Sequence, residues 1–208
     1  MGDVKSIPLT PSGQRQSHES APLIFERVGI VGLGPLGAAI GLAVRRAWPA
    51  ALVIGVDAND ALERAMRWHA IDVGGDDLGM LRDADLIVLA GSADQSAEVL
   101  RALTEYVPGA AVVTSTCGDA PGVIDAARAL APTLTFVAGC LAEMEHAPGE
   151  PGPPDAGSLA GWEWRLASVP DEAGGAAAAE RLRTFVTGLG AEVHVVTAAA
   201  GLGSASSR

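Results

Sequence analysis

The sequence has few cysteines, few cations and no long apolar run. Its 2 cysteines cannot form a disulfide framework, and no Cys/His spacing typical of a metal site is present. The 14 Lys and Arg residues against 25 acids leave a net charge of −11, which argues against non-specific nucleic-acid binding because that requires a basic face. No apolar run has the length of a membrane span, and no signal-peptide apolar region precedes the first predicted strand. The sequence therefore predicts a cytoplasmic protein that binds neither nucleic acid nor membrane.

The composition is that of a globular protein with a well-filled core. Apolar residues make up 49% of the chain and charged residues 19%, and the length suits one sizeable domain, which we place at residues 27–197. Residues 1–26 are expected to be a disordered leader, because the stretch up to Ala21 is rich in Ser, Pro and Gln and lacks periodicity. Residues 198–208 are expected to be a frayed tail. The Pro- and Gly-rich stretch 146–161 is expected to be a surface loop.

A glycine turn of the form G-x-G-x-x-G follows the first apolar run. It reads Gly32-Leu-Gly-Pro-Leu-Gly37 and leads into an apolar helix pattern. In a dinucleotide-binding unit the first glycine permits a tight turn, the second lets backbone approach a pyrophosphate, and the third lets the helix pack on the strand. Pro35 suits the first helical turn, where a missing N–H costs nothing. The turn therefore predicts a pyrophosphate site at the helix N-terminus.

An acid ends the second apolar run, where a ribose-binding carboxylate is expected. Asp57 lies twenty residues after Gly37, and such a carboxylate accepts hydrogen bonds from ribose hydroxyls and repels a 2′-phosphate. The next two residues, Ala58 and Asn59, offer no cation to such a phosphate. We therefore expect NAD to be preferred over NADP. The alternative is that Asp57 is a loop acid or a helix cap.

Strand-like and helix-like segments alternate from residue 27 onward. Strands are predicted at 28–31, 52–56, 86–89, 111–114, 134–137, 163–168 and 192–196, and helices at 36–47, 60–69, 96–106, 123–130 and 176–189. This alternation implies parallel strands joined by right-handed crossovers. The sequence therefore predicts an α/β fold with a doubly wound, mostly parallel Rossmann-type sheet and helices on both faces. Ligands of such sheets bind beyond the carboxyl ends of the strands.

Several blocks together resemble the prephenate/arogenate dehydrogenase family. They are Val28-Gly-Ile-Val-Gly-Leu-Gly-Pro-Leu-Gly37, Ile54-Gly-Val-Asp57, Leu81-Arg-Asp-Ala-Asp-Leu-Ile-Val-Leu-Ala90, Val112-Val-Thr114, Phe136-Val-Ala-Gly139 and Leu189-Gly-Ala-Glu-Val-His194. The resemblance covers the whole expected nucleotide-binding domain. It implies an NAD-dependent oxidative decarboxylation of an anionic cyclohexadienyl acid, as in tyrosine biosynthesis.

The sequence departs from the family pattern where the family places its chemistry. The segment after the strand at 111–114 has Gly118 in the place of the family's serine and Ala120 in the place of its lysine. After the next strand, Cys140 stands where the family has a histidine that contacts the reacting hydroxyl. The family also continues into a helical domain that dimerises. We therefore expect impaired or altered chemistry, and either a homodimer or a helical partner chain that completes the site.

The candidate catalytic residues are Cys140 and His146. Cys117 and Cys140 each follow a predicted strand, so both could face the nicotinamide side as a redox pair or nucleophile, but small buried hydrophobes are the favoured interpretation. His146 is the histidine nearest to the altered motif and could substitute as an acid–base group, but an exposed histidine without a role is the favoured interpretation. Glu143 and Glu145 could act as an acid–base pair, but solvated surface acids are the favoured interpretation.

Polar residues after the strands complete the expected cofactor site. Ser115 and Thr116 either hydrogen-bond the cofactor or cap the next helix. Ser92, after Gly91, is expected near the pyrophosphate. Trp162 and Trp164 alternate along a strand and are expected to share one face as core residues. The candidate cofactor-binding residues are Gly32, Leu33, Gly34, Pro35, Leu36, Gly37, Asp57, Gly91, Ser92 and Ser115.

Three functions fit these observations. The first is an NAD-dependent dehydrogenase of the prephenate/arogenate type. The second is a non-catalytic dinucleotide-binding protein or partner subunit, because cofactor binding needs only backbone amides and Asp57. The third is a truncated gene product. Failure to bind NAD or NADP would exclude the first two functions, and NADH formation separates the first from the second.

Overall fold

The computed structural model describes residues 22–118, 120–130, 132–142, 159–168 and 174–195. The predicted leader up to residue 21, the candidates Glu143, Glu145 and His146, and the predicted tail lie outside these ranges. Among the described residues, no helix has both the length and the apolar character that crossing a bilayer requires.

Strands and helices alternate along most of the described chain. The strands are β1 (Arg27–Val31), β2 (Leu52–Val56), β3 (Val73–Gly75), β4 (Leu86–Leu89), β5 (Ala111–Ser115), β6 (Leu134–Ala142), β7 (Glu163–Ser168) and β8 (Glu192–Val195). The helices are α1 (Pro35–Ala47), α2 (Asn59–Arg67), α3 (Ala93–Tyr106), α4 (Pro121–Ala127) and α5 (Gly175–Gly188), with a short 3-10 helix at Leu78–Leu81.

These strands form one sheet in the order β3-β2-β1-β4-β5-β6-β7-β8. Neighbouring strands within it run parallel, except that β6 and β7 are antiparallel. The strand order reverses at β1 and β4, which lie side by side: β2 and β3 extend the sheet on one side of β1, and β4 begins the other side. This Rossmann-type arrangement confirms the predicted fold class, and it creates a crevice at the carboxyl ends of β1 and β4, where such sheets bind their ligands.

Helices cover the two faces of the sheet over separate apolar clusters. Apolar residues of α1, α2 and α5 pack on one face, and those of α3 and α4 pack on the other. The sequence of β4 is continuously apolar because both faces of the strand are buried. Leu86 and Val88 face the first cluster, and Ile87 and Leu89 face the second. Trp164 is fully buried in the first cluster, and the partly buried Trp162 packs against the same cluster, so the two share one face as predicted.

The structure corrects the predicted elements in several places, among them α4, which spans Pro121–Ala127 instead of 123–130. β3 and the 3-10 helix were not predicted, because a strand of three residues with two glycines has too short an apolar pattern. β6 continues to Ala142 instead of ending at residue 137, because β7 pairs with its second half. α3 begins at Ala93 instead of residue 96, because Ser92 caps its N-terminus.

Candidate functional site

The glycine turn has the geometry that its spacing predicts. Gly32 has a φ of 92°, in the left-handed region, and a Cβ there would lie 2.7 Å from the Gly91 nitrogen. A Cβ on Gly37 would overlap the carbonyl oxygen of Gly32. A Cβ on Gly34 would meet no heavy atom of the described chain within 4 Å. Two of the glycines thus allow close packing, and Gly34 borders open space.

That open space lies at the N-terminus of α1. Gly34 is the N-cap residue, Pro35 begins the helix, and no side chain caps it. The first turn of α1 contains no acidic residue. A helix N-terminus of this kind presents backbone N–H groups and the positive end of the helix dipole to an anion.

Asp57 connects the glycine turn to the end of β2. One carboxylate oxygen accepts a hydrogen bond from the Leu33 N–H at 2.6 Å, and the other accepts one from the Ala58 N–H at 2.6 Å. Each carboxylate oxygen retains further acceptor capacity, so the side chain can also receive ligand hydroxyls. Asp57 therefore holds the turn in shape and faces the space that the turn encloses.

A cleft of ≈ 510 Å³ opens where β1, β2 and β4 end. This volume is within the range of small-molecule and cofactor sites. Five of the predicted cofactor-binding residues line it, namely Gly32, Gly34, Asp57, Gly91 and Ser92. The other five are placed otherwise: Leu33 is buried with its amide bonded to Asp57, Pro35, Leu36 and Gly37 continue into α1, and Ser115 is buried in the sheet.

The cleft also has lining residues that were not predicted. Asp76 and Leu78 follow β3, and Gln95, Ser96 and Glu98 lie on the first turns of α3. Asp76 stands beside Asp57 because β2 and β3 pair in register and the Asp57 N–H donates to the Gly75 carbonyl at 3.3 Å. The missed strand β3 is the reason that Asp76 was not predicted. The acid that follows its two glycines was the available signal.

The lining of the cleft is acidic. Asp57, Asp76 and Glu98 line the cleft, and the described lining residues include no Lys, Arg or His.

Elsewhere, on α5, hydrogen bonds donated by Arg183 lower the pKa of the exposed Glu180 below its usual value.

Ser92 and Ser115 both have hydrogen-bond partners within the protein. The Ser92 hydroxyl accepts from the Gln95 N–H at 3.3 Å, and the Gln95 side chain accepts from the Ser92 N–H at 3.0 Å, which is a capping box. The Ser115 hydroxyl accepts from the Cys117 N–H at 3.1 Å. Ser115 thus stabilises the turn after β5 and does not cap α4, whose N-cap is Ala120.

The two cysteines lie side by side, but only Cys117 lies beyond the end of its strand. Cys117 follows β5 as predicted, whereas Cys140 lies inside β6 because that strand is longer than predicted. Cys117 and Cys140 form an antiparallel bridge pair. The Cys117 sulfur is 3.7 Å from the Gly91 carbonyl oxygen, next to the cleft. Arg165 of β7 approaches the Cys140 sulfur to 3.6 Å.

One group of potential metal ligands occurs in the described ranges. Glu163, Glu192 and His194, on β7 and β8, have ligand atoms within 4.8 Å of one another. All three are exposed, and exposed acidic groups commonly gather without an ion. Their position on the far strands of the sheet separates them from the cleft.

Comparison with known proteins agrees with this architecture. The model of the prephenate dehydrogenase nucleotide-binding domain matches residues 40–195, beginning just after the glycine turn. The sequence matches no curated protein sequence. Because the match covers most of the chain, the family relationship does not depend on the widely shared glycine fingerprint.

Solved structures of two dehydrogenases are similar to the chain in fold. One is prephenate dehydrogenase from A. aeolicus in complex with hydroxyphenyl propionate and NAD+, at 19% identity and a TM-score of 0.69, with 83% of this chain and 60% of that chain covered. Another is Synechocystis arogenate dehydrogenase, at 21% identity and a TM-score of 0.66, with 84% and 60% covered. The chain thus spans about 60% of the length of these relatives.

Proposed function

We propose, from the premise that this chain belongs to the prephenate dehydrogenase nucleotide-binding domain family, that its cleft binds NAD for a dehydrogenase reaction. The observation that carries the proposal is the pairing of an open glycine turn with a carboxylate. Gly34 borders free space at the start of α1, and Asp57 faces the same cleft. A dinucleotide requires both features at once, since its pyrophosphate needs backbone amides and its ribose needs an acceptor.

Different residues of the cleft would bind different parts of the dinucleotide. Asp57 and Asp76, beyond β2 and β3, would accept the hydroxyls of the adenosine ribose. The turn at Gly34 would hold the pyrophosphate. Gly91 and Ser96, beyond β4, would lie along the nicotinamide half. Bound NAD would supply the hydride acceptor, and the residues of this chain would orient it.

Charge supports NAD over NADP as the cofactor. The 2′-phosphate of NADP would meet Asp57 and Asp76 at the adenosine end, and the described lining has no cation to offset their repulsion. The pyrophosphate shared by both cofactors meets the α1 N-terminus instead, where the helix dipole is favourable. We therefore expect NAD to bind more tightly than NADP by an order of magnitude or more.

Titration calorimetry with NAD and NADP tests this proposal. Replacing Asp57 with Ala should weaken NAD binding by about 10-fold to 100-fold, since a hydrogen bond to a charged group contributes about 1.5–3 kcal/mol. It should also narrow the preference for NAD over NADP. Asp57→Asn keeps an acceptor for the Leu33 amide and separates loss of charge from loss of the turn.

Asp60→Asn is the matched control. Asp60 is an exposed acid at the start of α2 that does not line the cleft, so this variant changes the net charge equally. Its dinucleotide affinity should equal that of the parent chain. If the folded parent chain bound neither dinucleotide, the proposal would be wrong. If Asp57→Ala bound NAD as tightly as the parent chain, Asp57 would not be a ligand of the cofactor.

A second function is favoured by one specific observation. Cys140 takes the place of the family's histidine, and it is buried beside Arg165. A buried thiol does not replace a positioned imidazole as an acid–base group, so the chain could bind NAD without turning over substrate. Formation of NADH with prephenate or arogenate separates the two functions, because only a dehydrogenase produces it.

A further inference from the structure

We propose that Cys117 and Cys140 are a dithiol pair that closes to an intrachain disulfide, a covalent modification site beside the cleft. They are the only 2 cysteines of the 208-residue chain. They lie 23 positions apart in sequence, with Cys117 on the turn after β5 and Cys140 on β6. The fold brings them opposite each other. The proposal concerns the thiols themselves and does not require that the cleft bind NAD.

Backbone hydrogen bonds define the spacing of the pair. The Gly118 N–H donates to the Gly139 carbonyl at 2.7 Å, and the Leu141 N–H donates to the Thr116 carbonyl at 3.0 Å. These two bonds flank Cys117 and Cys140, which makes them a non-hydrogen-bonded antiparallel pair. Cα atoms in such pairs are about 4.5 Å apart, within the roughly 4.4–6.8 Å range of disulfides.

The two side chains also share one face of the sheet. Cys140 belongs to the apolar cluster under α3 and α4, and Cys117 packs against the same cluster. Gly118 and Gly139 make this close approach feasible, since a Cβ on Gly118 would lie 2.8 Å from the Gly139 nitrogen. Rotation about the side-chain bonds is therefore sufficient to join the sulfurs, without a change of backbone.

Different surroundings give the two thiols different roles. The Arg165 Nη2 lies 3.6 Å from the Cys140 sulfur, and a guanidinium at that position favours the thiolate, which is the nucleophile in thiol–disulfide exchange. Cys117 is the more exposed thiol, and its sulfur contacts the hydroxyls of Ser115 at 3.4 Å and Ser96 at 3.6 Å. Cys117 therefore meets an external oxidant first, and Cys140 resolves the product.

A small-molecule disulfide is the oxidant that this chemistry requires. The Cys117 thiolate attacks one of its sulfurs, which forms a mixed disulfide and releases one small thiol. The Cys140 thiolate then attacks the Cys117 sulfur and expels the second small thiol. The chain loses two protons and two electrons in total, which together are two hydrogen atoms, and the small disulfide is reduced to two thiols.

Closure would alter the cleft through Cys117. Its sulfur now lies against Gly91 and Ser96, both of which line the cleft, and it would have to turn away from them toward Cys140. If the proposed NAD site is correct, NAD bound along Gly91 and Ser96 should lower the equilibrium constant for closure, and closure should weaken NAD binding by the same factor.

The experiment is treatment of the full chain with oxidised glutathione, followed by intact mass and peptide mapping. We expect the parent chain to lose two hydrogen atoms and to yield a peptide that joins Cys117 to Cys140. Cys140→Ser should stop at a glutathione adduct on Cys117, and Cys117→Ser should react several-fold more slowly. Arg165→Gln should slow closure several-fold without changing its product.

Three outcomes would overturn the proposal. They are two free thiols remaining in the parent chain, a parent chain that stops at the mixed adduct, and disulfides between chains instead of within one. None of these readouts contains NAD, so failure of the thiol chemistry and failure of NAD binding are distinguishable. An equilibrium extent of closure that does not change at NAD concentrations that saturate the cleft would overturn the coupling to the cofactor.

Discussion

At the scale of single residues, the three glycines of one turn have three different physical roles. Gly32 adopts a φ that side chains disfavour. Gly37 lies against the Gly32 carbonyl, where no side chain fits. Gly34 has an ordinary φ of −62° and open space around its Cα. The first two are required by the fold, and Gly34 is required only if a ligand approaches it.

This difference predicts that one alanine variant loses stability and the other loses NAD affinity. Gly37→Ala should destabilise the chain by about 1–3 kcal/mol, because the added methyl forces the helix away from the strand. Gly34→Ala should leave the melting temperature close to that of the parent chain while weakening NAD binding by an order of magnitude or more. Thermal melts and calorimetric titration check the pair, and a strongly destabilised Gly34→Ala would contradict the open space at that position.

At the scale of elements, the loops after β1, β2 and β4 build the cleft while α3 closes one side of it. The cap of α3 is a cleft residue, since Ser92 both lines the cleft and completes the capping box with Gln95. A Cβ on Gly91 would lie 2.9 Å from the Gln95 side-chain oxygen, so the cap and the loop before it are tightly packed. The stability of α3 and the shape of the cleft are therefore linked.

Removing this cap should lower stability measurably. Ser92→Ala should reduce the free energy of unfolding by about 1 kcal/mol, since the Gln95 N–H loses its acceptor. Ser92→Thr is the matched variant and should retain most of the stability, because threonine also caps. Urea denaturation measures both, and equal losses in the two variants would show that the hydroxyl is not the stabilising group.

At the scale of the whole molecule, this chain spans about 60% of the length of the A. aeolicus and Synechocystis dehydrogenases that it resembles in fold. The described part contains the crevice at β1 and β4. Cys140 and Arg165 lie on β6 and β7, which are the first and second strands beyond β5. A homodimer or a helical partner chain that completes a substrate site stays a prediction, as do the cytoplasmic location and the substrate class.

A turnover measurement belongs to this scale. With NAD and prephenate or arogenate, the full chain should form NADH about 10²–10⁴-fold more slowly than an enzyme with a positioned acid–base group, if Cys140 stands in the place of that group as the sequence predicts. Cys140→Ser should leave this slow rate unchanged if the thiol only packs, and should abolish it if the thiol takes part. A rate equal to that of an intact family enzyme would refute impaired chemistry.

The site was predictable from sequence where its residues are local. The turn from Gly32 to Gly37 and the acid Asp57 belong to a strand, turn, helix and strand that follow one another directly, so their spacing carries the geometry. Asp76 was not predictable in this way. It enters the cleft through β3, a three-residue strand that is ordered by pairing with β2 and not by its own pattern.

The sequence by itself therefore determined the βα alternation, the Rossmann-type fold and the glycine turn from Gly32 to Gly37, because these follow from short-range periodicity and backbone sterics. Only the tertiary structure decided the extension of β6, since its second half is stabilised by antiparallel pairing with β7. That pairing places Cys140 opposite Cys117 and beside Arg165. Contacts between residues distant in sequence form only when the sheet assembles, so no local pattern of a single chain encodes them.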